Sequence, residues 1–106
     1  MSAIDNAIKH FQSKDHKTIH VKEWDLTFIV KPLTLDEQRR LLEKSQRNQV
    51  EALVDLIIMK CLNENFEPAF KLSDKQKLMH EVDPTIITNL SNQITSDVDV
   101  MTEKKS

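Results

Sequence analysis

Apolar residues recur at helical spacing at the start of the chain. Ile4, Ala7, Ile8 and Phe11 share one side, with Asp5, Asn6, Lys9 and His10 on the other, which predicts a short amphipathic helix over residues 3–12. The polar run Ser13-Lys14-Asp15-His16-Lys17 ends it. The period then drops to two. Ile19 and Val21 alternate with Thr18, His20 and Lys22, and Trp24, Leu26, Phe28 and Val30 alternate with Asp25, Thr27, Ile29 and Lys31. β-Branched and aromatic residues at this period predict a two-stranded hairpin over residues 18–31, turning around Glu23-Trp24-Asp25. Pro32 ends the second strand because it cannot donate to a ladder. A lone hairpin is marginal in water and must pack on helices.

Thr34-Leu35-Asp36-Glu37 is a capping-box sequence that starts a helix running to Arg47. Its wet face carries the i,i+4 pairs Asp36 with Arg40 and Glu43 with Arg47, and Leu35, Leu41 and Leu42 form its expected inner face. The next helix is predicted over residues 50–62. Val50, Leu53, Val54, Ile57 and Cys61 form one stripe, which Leu56, Ile58, Met59 and Leu62 widen nearly all round. Such girth places a helix at the centre of a core or in an interface. It is too short to cross a bilayer.

A loop over residues 63–70 follows, with Phe66 and Phe70 as expected anchors. Ser73-Asp74-Lys75-Gln76 repeats the capping pattern and predicts a helix over 73–82. Asp83-Pro84 supplies an N-cap and a first-turn proline for a last helix, over 84–94, through Ile86, Ile87, Leu90 and Ile94. Periodicity stops at Thr95, and residues 95–106 read as a mobile polar tail. The expected fold is α+β, mainly α: an N-terminal helix, one hairpin and four further helices in a single domain over residues 1–94.

The composition narrows the chemistry. Glycine is absent from all 106 residues. Phosphate-cradling loops, dinucleotide fingerprints and nucleophile elbows therefore cannot be present in their usual form. Of the four histidines only His16 and His20 stand four apart, and they fall in a loop and a strand. With no cysteine pair either, the zinc spacings fail and no metal site or cofactor is expected. The single cysteine, Cys61, sits in the most apolar segment and reads as inert core filler. No catalytic residue is expected, and so no enzyme.

The formal net charge is -2, from 15 basic and 17 acidic residues, which is no footprint for nucleic acid. Arg39, Arg40, Lys44 and Arg47 are interleaved with Glu37 and Glu43 and read as a solvated helix face. No signal peptide or membrane span is apparent, so a cytosolic protein is expected. What remains is protein binding. The candidate partner-binding residues are Trp24 at the hairpin tip, Val50, Leu53, Val54, Ile57 and Ile58 on the broad apolar helix, and Phe66 and Phe70 in the loop. Trp24 can equally fold back as a lid over the core.

The run Val21-Lys22-Glu23-Trp24 with Lys31-Pro32-Leu33-Thr34 resembles the opening of the tail assembly chaperones of long-tailed bacteriophages. Those proteins tend to show a Val-x-Glu-Trp hairpin and then a basic-Pro-Leu-Thr turn into a helix. Residues 62–70 resemble their aromatic loop, and Asp83-Pro84 with Ile86-Ile87 the start of their final helix. The likeness covers about Thr18 to Ile94. The family often has glycine after the hairpin tryptophan and in the aromatic loop, where this chain has Asp25 and polar residues about Glu67.

The resemblance implies a chaperone that binds the aggregation-prone tape-measure protein in the cytoplasm of the bacterial host. It keeps that client soluble, helps recruit the tail tube protein and is absent from the mature virion. In many members a frameshifted C-terminal extension contacts the tube protein. The alternative of a different class is a small helical homodimeric adaptor or regulator, of phage or bacterial origin, using the same apolar helix as a homo-oligomer interface.

Overall fold

The period-two stretch folds as expected, into a hairpin that one further short strand extends. The computed structural model describes residues 2–96. In it the chain runs through α1 (Ala3–Gln12), β1 (Lys17–Val21), β2 (Leu26–Val30), α2 (Leu35–Arg47), α3 (Gln49–Lys60), β3 (Cys61–Leu62), α4 (Lys75–His80) and α5 (Pro84–Thr95). The expected α+β, mainly α class is the one observed. β1 and β2 pair antiparallel, with Ile19 opposite Phe28 and Val21 opposite Leu26. A 3-10 turn over Lys22–Trp24 joins them. Asp25 closes it in the left-handed region, at φ 53°, and its N–H donates to Lys22 O at 3.1 Å.

The broad apolar helix is shorter than its composition indicated. It stops at Lys60, because Cys61 turns extended at φ -78°, ψ 123°. Cys61 and Leu62 instead form β3, pairing with Val30 and Ile29. Two residues carry no period, so sequence pattern alone merges them with the helix before them. The pairing gives β2 a second neighbour and the sheet the order β1-β2-β3.

The loop after β3 is shaped by Asn63. Its side-chain Oδ1 accepts the N–H groups of Asn65 (2.8 Å) and Glu67 (3.1 Å). The turn puts Phe66 at φ 63°. Asp25 and Phe66 are the non-glycine residues with positive φ among those described. One directly follows the hairpin tryptophan and the other lies in the aromatic loop. A bulky side chain is an outlier in this region, whereas aspartate is tolerated.

Helix ends are set by local polar chemistry. Thr34 Oγ1 accepts the Glu37 N–H at 3.1 Å, and Glu37 Oε1 accepts the Thr34 N–H at 2.9 Å. Asn48 closes α2 and caps α3, its Oδ1 accepting the Glu51 N–H at 3.0 Å. The helix expected over 73–82 is trimmed to Lys75–His80, since Leu72–Asp74 is a 3-10 turn whose Asp74 carboxylate accepts the Lys71 N–H at 2.8 Å. Asp83 caps α5 with Pro84 at its first position. α5 extends through Thr95, and the polar tail expected over residues 95–106 lies, from residue 97 on, outside the described residues.

The core lies between one face of the sheet and the helices. Ile19, Phe28, Val54, Leu56, Ile57, Cys61 and Leu90 are almost fully buried in it. α3 runs through its middle, packed against α2, α4 and α5. The N-terminal helix is different. Every residue from Ser2 to His16 is exposed, so α1 adds nothing to the core that the rest of the chain builds.

Candidate functional site

α2 and α3 are joined by a single residue and lie side by side. Their seam opens on both sides. On one side α5 forms a second wall, and the groove between the three helices holds about 240 Å³. Leu41, Leu42 and Ser45 line it from α2, Ala52, Leu53 and Leu56 from α3, and Ser91 and Thr95 from α5. The small side chains of Ala52 and Ser91 let the helices approach closely. Ser91 is buried, and its Oγ donates to Leu53 O at 3.4 Å across the α3–α5 contact. The rim is polar without charge: Gln38, Ser45, Gln49, Asn92 and Thr95. The volume falls below the ~300–1,000 Å³ of a small-molecule site. An open groove with an apolar floor and an uncharged rim suits the side chains of an apposed helix.

The other side of the seam is a charged cleft of about 270 Å³, containing Arg40, Glu43, Lys44, Arg47, Asp55 and Met59. Its charges are largely compensated within the protein. Arg40 meets Asp36 at 2.9 Å and Lys44 meets Asp55 at 3.0 Å. Lys75, at the start of α4, also bridges to Asp55 at 3.0 Å and to Glu51. The Lys75 hydrogen bond and the Lys44 and Lys75 charges hold the Glu51 carboxyl below its usual range. On the outer face of α2, Arg39 meets Asp36 at 2.7 Å and Glu43 at 3.0 Å. Arg39, Arg40 and Lys44 are thus ion-paired, whereas the expected Glu43–Arg47 pair does not form, because Glu43 meets Arg39 instead. Most of the cluster's positive charge is compensated, which suits a phosphate backbone poorly.

The residues singled out from sequence do not form one patch. Val54 and Ile57 are in the core, at 1% and 0% exposure, and offer no surface. Leu53 lies in the groove, half-buried. Val50 is exposed near the start of α3, and Ile58 is half-buried against the core. Trp24 folds back as a lid, packing edge-on against Phe28 at 6.4 Å between ring centroids, and Phe70 packs on Phe28 from 5.5 Å. Phe66 does not anchor the loop inward. It stays exposed, with the His16 ring edge-on at 5.3 Å and Lys31 Nζ 5.9 Å from its centroid.

Leu35 and Leu42, expected on the inner face of α2, point outward at 82% and 43% exposure. Leu42 is nevertheless a groove wall, and with Ala52 and the α5 residues it is what sequence reasoning missed. The eight-residue stretches Gln38 to Ser45 and Gln49 to Leu56 carry the signal at helical spacing. Only packing shows that they face each other.

Cys61 is fully buried, and desolvation pushes its thiol up to about 12. Among the described residues no group of three or more His, Cys, Asp or Glu could hold a metal ion, and no helix is long and apolar enough to cross a membrane.

No family model and no curated protein matches the chain. A solved structure does. The chain resembles the bacteriophage HK97 tail assembly chaperone with a TM-score of 0.60 at 20% identity, over 88% of this chain and 98% of that one. The two proteins share a fold. The likeness extends over most of this chain and nearly all of the other.

Proposed function

We propose that this protein is a tail assembly chaperone of a long-tailed bacteriophage, and that it holds segments of the tape-measure protein in the α2–α3–α5 groove. The observation that carries the reading is the fold shared with the HK97 tail assembly chaperone over almost the full length of both chains. The independent resemblance of the hairpin, the Pro-Leu-Thr turn and the aromatic loop to that family supports it. A tape-measure client is long, helical and aggregation-prone, and an amphipathic helix laid in the groove would cover its apolar stripe. The groove holds only about 240 Å³, so each contact would be small and reversible, as a chaperone that is shed before the virion matures requires. Recruitment of the tail tube protein is the second role in this reading, exercised in the cytoplasm of the bacterial host.

Co-expression with the tape-measure protein of the same phage tests it. The client should move from the insoluble to the soluble fraction and co-purify. Leu42→Asp should abolish that effect, while Leu72→Asp, at a position 75% exposed and outside the groove, should not. A client that stays insoluble with the unaltered chaperone overturns the reading.

A further inference from the structure

A small hollow of about 70 Å³ lies where β1 begins and where β2 and α5 end. Its floor is apolar and buried, made by Val30, Leu33 and Ile94. Its rim is basic, with Lys14, Lys17 and Lys31 set against Asp15. The chain leaves α5 beside this rim, because Lys17 Nζ donates to Gln93 O and Ser96 Oγ, each at 2.6 Å. The sequence then continues Asp97-Val98-Asp99. We propose that this segment folds back over the hollow of its own chain, with Val98 on the apolar floor and the two carboxylates against the lysines.

Reach, charge and size all fit. In an extended run successive side chains point to opposite sides and each residue advances about 3.3 Å, so Val98 lies within about 7 Å of Ser96. Val98 can therefore turn down into the hollow while Asp97 and Asp99 flank it on the rim side. The three lysines and Asp15 leave the rim with an excess of two positive charges, and the segment brings two negative ones. Lys14 and Lys31 are exposed and meet no carboxylate among the described residues. Their long stems let the ammonium groups swing over the edge of the hollow. The hollow is too small for a helix, whose diameter is about 10 Å, and suits a single small apolar side chain.

The α2–α3–α5 groove is the competing seat, since Thr95 lines it. Its rim carries no charge, so Asp97 and Asp99 would lie beside it without cations. The basic hollow is the better match. The contact is made within one chain, so it does not depend on protein concentration. It relies on exposed ion pairs and one valine, so salt weakens it. It ties the end of α5 to the start of β1 and to the link from α1, and it does not rest on the function proposed above.

A nitroxide spin label on Met101→Cys in the full chain tests this by nuclear magnetic resonance. Cys61 is buried and leaves position 101 as the reactive thiol. The amide signals of Lys14, Val30, Lys31 and Leu33 should broaden, and those of Ser45 and Gln49 at the groove should not. An isotope-labelled chain without nitroxide, mixed with an unlabelled chain that carries it, should show no broadening. Lys14→Glu with Lys31→Glu should abolish the effect, as should Asp97→Lys with Asp99→Lys, and the four changes together should restore it. Thermal unfolding of each variant confirms that it folds. Four results each overturn the proposal: broadening spread evenly over the surface or centred on Ser45 and Gln49, broadening that survives either charge reversal, broadening seen in the mixture, or a fourfold variant that does not regain it.

Discussion

Lys60 Nζ lies 3.0 Å from Glu37 Oε1, the same oxygen that accepts the Thr34 N–H at 2.9 Å. The ammonium also donates to Pro32 O at 3.3 Å. The last residue of α3 therefore ties down the capping box of α2 and the proline that ends β2. Lys60 is 9% exposed, which is rare for a lysine and tolerated here because it is paired. Lys60→Met keeps the apolar stem but removes the charge and should cost about 1–3 kcal/mol in urea unfolding. In a double-mutant cycle with Glu37→Gln the coupling should be about 1 kcal/mol. Strictly additive losses would show that the pair is incidental.

The same carboxylate sets part of the acid response. Burial alone would raise the Glu37 carboxyl, but the Thr34 N–H and Lys60 overcome it and hold the group below its ordinary value of 4.5. Glu51 is lowered from the same value by Lys75 and Lys44. A lowered folded-state value means that the unfolded chain binds more protons as pH falls through this range. The stability these two groups supply is thus complete above about pH 4.5 and is lost as pH falls through their folded-state values. Urea midpoints should be flat from neutral pH down to that point and then fall. In the Glu37→Gln, Glu51→Gln double variant the acid limb should be shallower. An unchanged limb would place the sensitivity elsewhere.

Asp25 occupies a left-handed turn position in a chain without glycine. Asp25→Gly removes the steric penalty at that position while adding freedom to the unfolded chain, so stability should change by less than about 1 kcal/mol in either direction. Asp25→Val puts a β-branched side chain where φ is positive and should cost about 1–2 kcal/mol. Thermal unfolding of both variants ranks them. If valine is tolerated as well as glycine, the left-handed turn is not what constrains the hairpin.

Local chemistry was legible in the sequence wherever one residue and its near neighbours decide the outcome. The hairpin follows from the alternation through Ile19 and Phe28. The helix starts follow from Thr34 with Glu37 and from Asp83 with Pro84, and the burial of Cys61 from its surroundings. What escaped depends on partners distant in sequence. Cys61 and Leu62 leave the helical pattern because β2 offers them a ladder. Lys60 is buried because Glu37, 23 residues earlier, lies beside it. Leu42 reads as core until α5 is placed and then becomes the wall of a groove. α1 reads as one more helix packed in the domain, since an amphipathic stripe alone does not show whether the rest of the chain covers it, and here it is exposed throughout.

Cys61 provides a probe of how that interior opens. It is fully buried at the junction of α3 and β3, and its thiol is pushed up to about 12, so the folded protein at pH 8 holds almost no thiolate and gives a disulfide reagent no access. Labelling should therefore require opening of the core, at a rate that follows the population of the open state when reclosing is fast. Ile57→Ala tests this, because Ile57 is 0% exposed in the same cluster and its truncation should cost about 2 kcal/mol or more. That loss should speed labelling roughly thirtyfold or more, since each 1.4 kcal/mol is a factor of ten. Ile8→Asp, in a helix that touches none of this core, should leave the rate unchanged. Labelling of the unaltered protein as fast as a free thiol would mean that Cys61 is reached without unfolding, and the sealed core described above would be wrong.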